Sequence, residues 1–193
     1  MTLKLITGPA TEPVTLAEAR AQCRVDPDDT SEDSLLESLI AAAREQAEHL
    51  LGRALITQTW ERVIDAFPPV EIELGMPPVL TVESVKYLDE GGDLQTIDSA
   101  NYVLDNDDNA QGWVLPVADY DWPDTYDGAN AVRVRFTCGY GTASDVPASV
   151  KHWMLVRVAS LYKHREETSG QAVNAIPESL TERLLDRFRV MVP

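Results

Sequence analysis

The sequence predicts an α+β fold in which a small antiparallel β-sandwich or barrel-like subdomain lies between two helical sections. Apolar residues recur at helical spacing near both ends of the chain, whereas between them they alternate with polar residues. The strand-like stretches are short and closely spaced and have no helical pattern between them, which is typical of antiparallel sandwiches and barrels. We therefore predict three sections, at residues 1–56, 57–144 and 145–193.

Two helices are predicted in the first section. Thr15 followed by Glu18 fits a capping box, in which the hydroxyl and the carboxylate satisfy amides of the first turn, so a helix is expected over 15–24. Cys23 lies on the apolar stripe of this helix and is interpreted as a small core side chain. A longer helix over 32–51 has one wide apolar face and ends where Gly52 provides a C-terminal cap.

The middle section is predicted to be a series of short strands. The clearest covers 131–138, where Val132, Val134, Phe136 and Cys138 alternate with Arg133, Arg135 and Thr137. Residues 89–92 form a strong turn signal directly after the strand expected at 82–88. The other strands are expected at 57–66, 70–74, 82–88, 94–97, 102–105 and 112–116.

The third section is predicted to contain two helices. Pro147 suits a first helical turn and Asp145 is a candidate cap, so a helix is expected to run to about Lys163. A polar break over 166–174 follows, and Pro177 begins a final helix. One side of that helix is formed by apolar residues, Leu180, Leu184, Leu185 and Phe188, and the basic residues Arg183, Arg187 and Arg189 are interleaved with them.

Charge and composition exclude several classes of protein. The chain has 193 residues with 32 Asp and Glu against 16 Lys and Arg, and residues 1–150 carry 27 of these acids against nine of the bases. Such acidity argues against non-specific DNA wrapping, although solubility alone also explains it. No apolar run reaches about 18 residues, so no membrane span is expected. Two distant cysteines and a poor signal sequence predict a soluble protein of a reducing compartment.

No catalytic residue, cofactor site or metal site is predicted. The three histidines have no partners at recognised metal-ligand spacing, and the acidic loop at 105–109 lacks the glycine and the terminal glutamate of a calcium loop. Gly139-Tyr140-Gly141 lacks the lysine of a phosphate loop. We therefore predict that the protein is not an enzyme. The Asp- and aromatic-rich stretch 119–127 leaves open a carbohydrate-binding module or hydrolase.

An ordered set of segments resembles the head–tail connector, or head-completion adaptor, family of tailed bacteriophages, in its long form with an inserted β-domain. Similar proteins occur in gene transfer agents. The resemblance covers roughly 12–165. It is carried by EPVTLAEAR at 12–20, DDTSEDSLLESLIAAAREQAE at 28–48, GRALITQTWE at 52–61, PPVLTVESVKYLDEGG at 77–92, NYVLD at 101–105, VRVRFTCGYG at 132–141 and DVPASVK at 145–151.

The resemblance implies a helical bundle built from the N- and C-terminal segments, with the β-rich stretch as an insertion. It also implies a homo-oligomeric ring, commonly dodecameric, beneath the portal protein, which extends the DNA channel and meets a downstream stopper or tail-completion protein. DNA would pass through without specific binding, past an acidic wall that repels phosphates. The protein would belong to a virion or gene-transfer-agent particle assembled in the bacterial cytoplasm.

The last helix is the best candidate for docking to the portal. It combines an apolar anchor with basic rim residues, as interfaces commonly do. The predicted portal-binding residues are Arg183, Leu184, Leu185, Arg187, Phe188 and Arg189. Two alternatives remain at this point: the helix completes its own bundle, or the chain is a different head- or tail-completion protein such as a stopper.

Overall fold

The computed structural model describes residues 2–106, 111–164 and 183–190, and it confirms the predicted α+β class. Three α-helices are present among these residues: α1 (Leu16–Cys23), α2 (Asp33–Leu51) and α3 (Ala148–Lys163). The strands are β1 (Thr2–Thr7), β2 (Gln58–Ile64), β3 (Ile72–Glu73), β4 (Val79–Leu88), β5 (Leu94–Ile97), β6 (Tyr102–Asp105), β7 (Trp113–Pro116) and β8 (Val132–Cys138). No helix in the described part is long and apolar enough to cross a bilayer.

The chain divides into two compact units. The β unit comprises Met1–Ala10 and Thr57–Tyr140, and the helical unit comprises Thr11–Ile56 and Gly141–Pro193. The first ten residues thus belong with the strands rather than with the helices that follow them in sequence. By sequence, the β unit carries 16 Asp and Glu against five Lys and Arg, so most of the negative charge of the protein lies there.

The β unit contains two antiparallel sheets. The five-stranded sheet has the order β1-β2-β8-β4-β5, and the three-stranded sheet has the order β3-β7-β6. Alternation along β8 is as predicted, because Val132, Val134, Phe136 and Cys138 are buried and the intervening residues are not. Ile72, Leu74 and Val114 from the smaller sheet and its flanks are also fully buried, and together these side chains form the core of the unit.

The two sheets approach each other closely at Gly112, just before β7. A Cβ atom at this position would lie 2.6 Å from Cγ2 of Val79, the first residue of β4. Carbon atoms in ordinary packing contact lie about 3.5–4.0 Å apart, so only glycine fits here without a shift. A hydrogen bond of 3.0 Å from the Leu74 N–H to the Gly112 carbonyl fixes the same region.

The helical unit is built on α2, which packs against α3 while α1 contacts both. The capping box of α1 is confirmed: the Glu18 N–H donates to Thr15 Oγ1 at 3.2 Å, and the Thr15 N–H donates to Glu18 Oε2 at 2.7 Å. Gly52 ends α2 as predicted, with a φ of 64° that L-residues rarely adopt. Leu36, Ile40 and Leu51 place the apolar stripe of α2 in the core.

Three local expectations are corrected by the structure. Strand β1 is not predicted from the sequence pattern, because it lies at the edge of its sheet and none of its apolar residues is fully buried. The second predicted strand, 70–74, is reduced to Ile72–Glu73. Asp145 does not cap α3, since its carboxylate accepts hydrogen bonds from the N–H and hydroxyl of Thr142 instead, and Pro147 occupies the N-cap.

The final predicted helix also differs from the structure. Its first residues, 177–182, and the polar break at 166–174 lie outside the described residues. Where the sequence predicts α-helix over 183–188, the chain forms a turn followed by a short 3-10 helix, Asp186–Phe188. The φ and ψ of Arg189 are extended, so the chain leaves helical geometry there.

Candidate functional site

Residues 183–190, here called the C-terminal segment, lie against the end of α2. The Val190 N–H donates to the Leu51 carbonyl at 2.9 Å, and Nε of Arg53 donates to the Phe188 carbonyl. Leu185 is fully buried, and the side chain of Val190 lies beside Gly52. These contacts join the C-terminal segment to the residues that terminate α2.

The six predicted portal-binding residues therefore have different surroundings. Leu185 is fully buried, and Leu184, Phe188 and Arg189 are half-buried. Arg183 and Arg187 are exposed, and the guanidinium of Arg187 lies 5.9 Å from the centre of the Phe188 ring. The apolar residue Leu185 thus stabilises the helical unit, while two arginines remain accessible. The portal-docking role of the set stays a prediction.

A buried ionic network supports the same end of α2. Arg44 is buried and donates to two carboxylates, Nε to Glu12 Oε2 at 2.9 Å and Nη1 to Glu48 Oε2 at 2.8 Å. The other oxygen of Glu48 accepts the Leu55 N–H at 2.9 Å. The network therefore ties the segment before α1 and the chain after Gly52 to the body of α2, and each buried charge has a partner.

The surroundings of Glu12 in this network shift the pKa of its carboxyl. Partial burial raises the pKa of its carboxyl above the ordinary value, and the charge and hydrogen bond of Arg44 oppose that rise. In the folded protein Glu12 therefore binds a proton more tightly than in the unfolded chain. Its contribution to stability is largest below the unfolded pKa and is lost as the pH rises through the folded pKa.

The outer face of the five-stranded sheet forms a second distinctive surface. Residues directly opposite one another in an antiparallel sheet share a face, and the register defines two adjacent rows on this one. The first row reads Thr2, Val63, Arg133, Lys86 and Thr96, and the second reads Lys4, Glu61, Arg135 and Ser84. We call Lys4, Lys86, Arg133 and Arg135 the basic face.

An acidic surface lies on the same unit at the turn between β4 and β5. Asp89, Glu90, Asp93 and Asp124 line a shallow concavity, here called the acidic tip. Asp89 shapes the turn, since Oδ1 accepts the N–H groups of Gly91 and Asp93 and Oδ2 accepts a 2.7 Å bond from Gln95. The bond from Gln95 and those from the turn amides lower the pKa of Asp89. The Glu90, Asp93 and Asp124 residues are exposed.

The aromatic residues of 119–127 are used largely in packing. The Trp122 ring stacks on Phe67 with centroids 4.8 Å apart and an interplanar angle of 4°, and Tyr120 meets it edge-on. Nε1 of Trp122 donates to the Val70 carbonyl at 3.3 Å. One ring face and the polar atom of Trp122 therefore have partners within the chain, so the arrangement does not favour the carbohydrate-binding alternative.

No group of three or more His, Cys, Asp or Glu side chains is arranged to hold a metal ion within the described ranges. Residues 107–109 of the acidic loop at 105–109, which superficially resembles a calcium site, lie outside them. Cys23 is half-buried, and burial raises the pKa of its thiol, which lowers its reactivity as a nucleophile.

Comparison with known proteins tests the resemblance to the connector family independently of the sequence pattern. Residues 13–81 match the phage gp6-like head-tail connector protein family. The predicted resemblance to the connector family is confirmed in this segment, which runs from α1 into β4. No curated protein sequence matches the chain significantly.

Solved structures with the same fold extend the likeness to the whole chain. One comes from the neck of an empty gene transfer agent (GTA) particle computed with C6 symmetry, with a TM-score of 0.84 at 23% identity. The match covers 100% of this chain and 97% of the matched chain. A chain from the virion of a native GTA particle gives 0.82 at 23% identity with the same coverage. A chain from the neck of a native GTA particle computed with C12 symmetry gives 0.75 at 22% identity, again with 100% and 97% coverage. The connector-family segment and the inserted β unit thus occur together in one known fold.

Proposed function

We propose that this protein is a structural head–tail connector of a phage or gene-transfer-agent particle. The observation that carries the proposal is the match of its entire chain to a chain of GTA neck structures, together with a connector-family match that begins at α1. The connector assembles as a ring under the portal protein, extends the DNA channel and joins the head to stopper or tail proteins. The C6 and C12 symmetries of the matched neck structures favour a ring with an even number of copies.

The negative charge of the protein suits this role. A chain of net charge −16 repels DNA phosphates across roughly a Debye length, about 8–10 Å at physiological ionic strength, so DNA passes without adhering to an acidic wall. The particle that contains the connector is assembled in the bacterial cytoplasm, where Cys23 and Cys138 stay reduced, and both are free thiols in the structure.

We further propose that the C-terminal segment docks to the portal through its exposed arginines. The hydrogen bond from the Val190 N–H to the Leu51 carbonyl holds the segment at the end of α2. The exposed residues Arg183 and Arg187 provide donors for acidic or carbonyl groups of the portal. Docking of this kind leaves Leu185 buried, so it does not require the helical unit to open.

The double variant Arg183→Glu/Arg187→Glu is expected to bind the cognate portal at least about tenfold more weakly, because reversed charges at an interface rim repel a complementary partner. Binding is measured by biolayer interferometry with the assembled portal. Arg24→Glu/Lys163→Glu, at exposed positions of the same unit, makes the same change in net charge and serves as the control. Equal binding by both variants, with unchanged melting temperatures, would place the portal contact elsewhere.

Truncation after Glu178 gives a second test of the C-terminal segment. Loss of portal binding by a truncated chain that remains folded supports docking, whereas loss of folding shows that the segment serves mainly to complete its own unit. A stopper is distinguished from a connector by the same binding assay, because a stopper is expected to bind the connector ring rather than the portal.

A further inference from the structure

The basic face gathers nearly all the positive charge of a strongly acidic unit onto one surface. Of the five Lys and Arg residues in the β unit, four occupy the two adjacent rows of this face: Lys4, Lys86, Arg133 and Arg135. The pairing is supported by side-chain contacts, since Arg135 bonds Glu61 at 3.0 Å and the hydroxyls of Thr81 and Thr137 meet at 2.6 Å. The face is thus a regular, solvent-facing surface.

Arg133 and Lys86 form an unfavourable pair within this face. They lie directly opposite each other on β8 and β4, both are exposed, and neither makes an ion pair with another described residue. Like charges placed directly opposite across strands destabilise a sheet. An acidic neighbour is available to Arg135 through Glu61, whereas the Arg133–Lys86 pair has no such compensation. An anionic partner outside the chain would remove the repulsion.

The same unit presents the complementary charge at the acidic tip. Glu90, Asp93 and Asp124 are exposed there, and the hydrogen bonds of Asp89 hold the turn in a defined shape. A chain that carries two different complementary surfaces forms heterologous contacts, in which one surface of each copy meets the other surface of the next. Contacts of that kind close into rings when the rotation between copies permits.

We propose that the basic face of one copy binds the acidic tip of the next copy around the ring. The proposal rests on the ring-forming connector function proposed above and names the surfaces that join its subunits. A second copy is favoured over DNA as the occupant because the β unit as a whole carries 16 acids against five bases, and that charge opposes the approach of a polyanion. Burial of the basic face between subunits also removes from the channel the surface most able to hold DNA.

Reversal of one charge on the basic face is expected to weaken ring assembly. Arg133→Glu should raise the concentration needed for assembly at least about tenfold, since a like-charge contact would be repeated at every subunit boundary. Folding is protected, because the new carboxylate lies opposite Lys86 and forms a favourable cross-strand pair. Lys163→Glu, an exposed residue of the helical unit with the same change in charge, is the matched control and should assemble normally.

Charge exchange between copies provides the sharpest test. A face variant, Lys86→Glu/Arg133→Glu, and a tip variant, Glu90→Lys/Asp93→Lys, should each fail to form rings alone. Mixed in equal amounts, they should assemble, because in an even-numbered ring alternating copies restore opposite charges at every boundary. Mass photometry at about 50 mM and 500 mM salt measures the ring fraction, and the wild-type fraction should fall at the higher salt because surface charges are screened.

Each outcome of this experiment has a definite meaning. If both double variants form rings as readily as the wild-type protein does, the proposed contact is overturned while the connector function remains intact. Wild-type protein that stays monomeric at low salt would overturn the ring and the contact together. Normal rings of the face variant, combined with loss of duplex-DNA binding in a gel-shift assay, would replace the second copy with DNA as the occupant.

Discussion

Replacement of Phe136 by alanine is expected to lower the free energy of unfolding of the β unit by about 3–5 kcal/mol. Phe136 has no exposed surface and lies on the central strand β8, between β2 and β4. The cavity cannot be refilled easily, because the ladders to Trp60 on one side and Val82 on the other fix the backbone. Urea unfolding followed by tryptophan fluorescence measures the change.

Leu94→Ala is the matched control for this truncation in the same unit. Leu94 is 56% exposed on the edge strand β5, so its loss should change the free energy of unfolding by no more than about 0.5 kcal/mol. Similar effects at the two positions would contradict the placement of the core between the two sheets.

Replacement of Arg44 by methionine is expected to lower the free energy of unfolding of the helical unit by about 3–5 kcal/mol at neutral pH. The loss leaves Glu12 and buried Glu48 without the guanidinium that both bind, and an uncompensated buried charge is costly. Arg157→Met is the control, because among the described residues the half-buried Arg157 donates only to the neutral Gln46, and about 1 kcal/mol is expected there.

The loss in the free energy of unfolding caused by Arg44→Met should become smaller as the pH is lowered. Burial already raises the pKa of Glu12, and without Arg44 nothing of comparable strength opposes that rise. A raised folded pKa means that protonation favours the folded state, so the variant regains stability as the pH falls from 7 through that pKa. Unfolding measured at pH 7 and near pH 4.5 tests the sign, and a deficit that is constant across this range would contradict it.

The parts of the fold that the sequence predicts well are those controlled by local signals. The capping box of Thr15 and Glu18, the glycine stop at Gly52 and the strict alternation of β8 each specify their element within a few residues. Strand β1 lacks such a signal because it gains its structure from pairing with β2, which follows more than 50 residues later. Its membership of the β unit is therefore a tertiary effect.

The candidate site is harder to predict from the sequence, because it also depends on contacts between residues that are far apart in the chain. Periodicity predicts an α-helix for 183–188, but the hydrogen bonds that fix this segment involve Leu51 and Arg53, which lie far away in the sequence. The basic face requires the register of four strands before Lys4, Lys86, Arg133 and Arg135 can be recognised as neighbours. Only the alternation of Arg133 and Arg135 with apolar residues along β8 indicates part of the basic face from the local sequence.

The acidity of the chain has a more specific meaning once the structure is considered. The β unit holds half of the acidic residues but fewer than a third of the basic ones, and four of its five bases lie on one sheet face. A general solubility surface does not require such segregation. Segregated charge is what a subunit needs if it must bind copies of itself and still repel DNA.

Cryo-EM of the purified protein at low salt and high protein concentration tests the central claim most directly. The connector function predicts closed rings with a single cyclic symmetry, sixfold or twelvefold, and an open central channel. A population of monomers or of open, irregular chains under these conditions would contradict it.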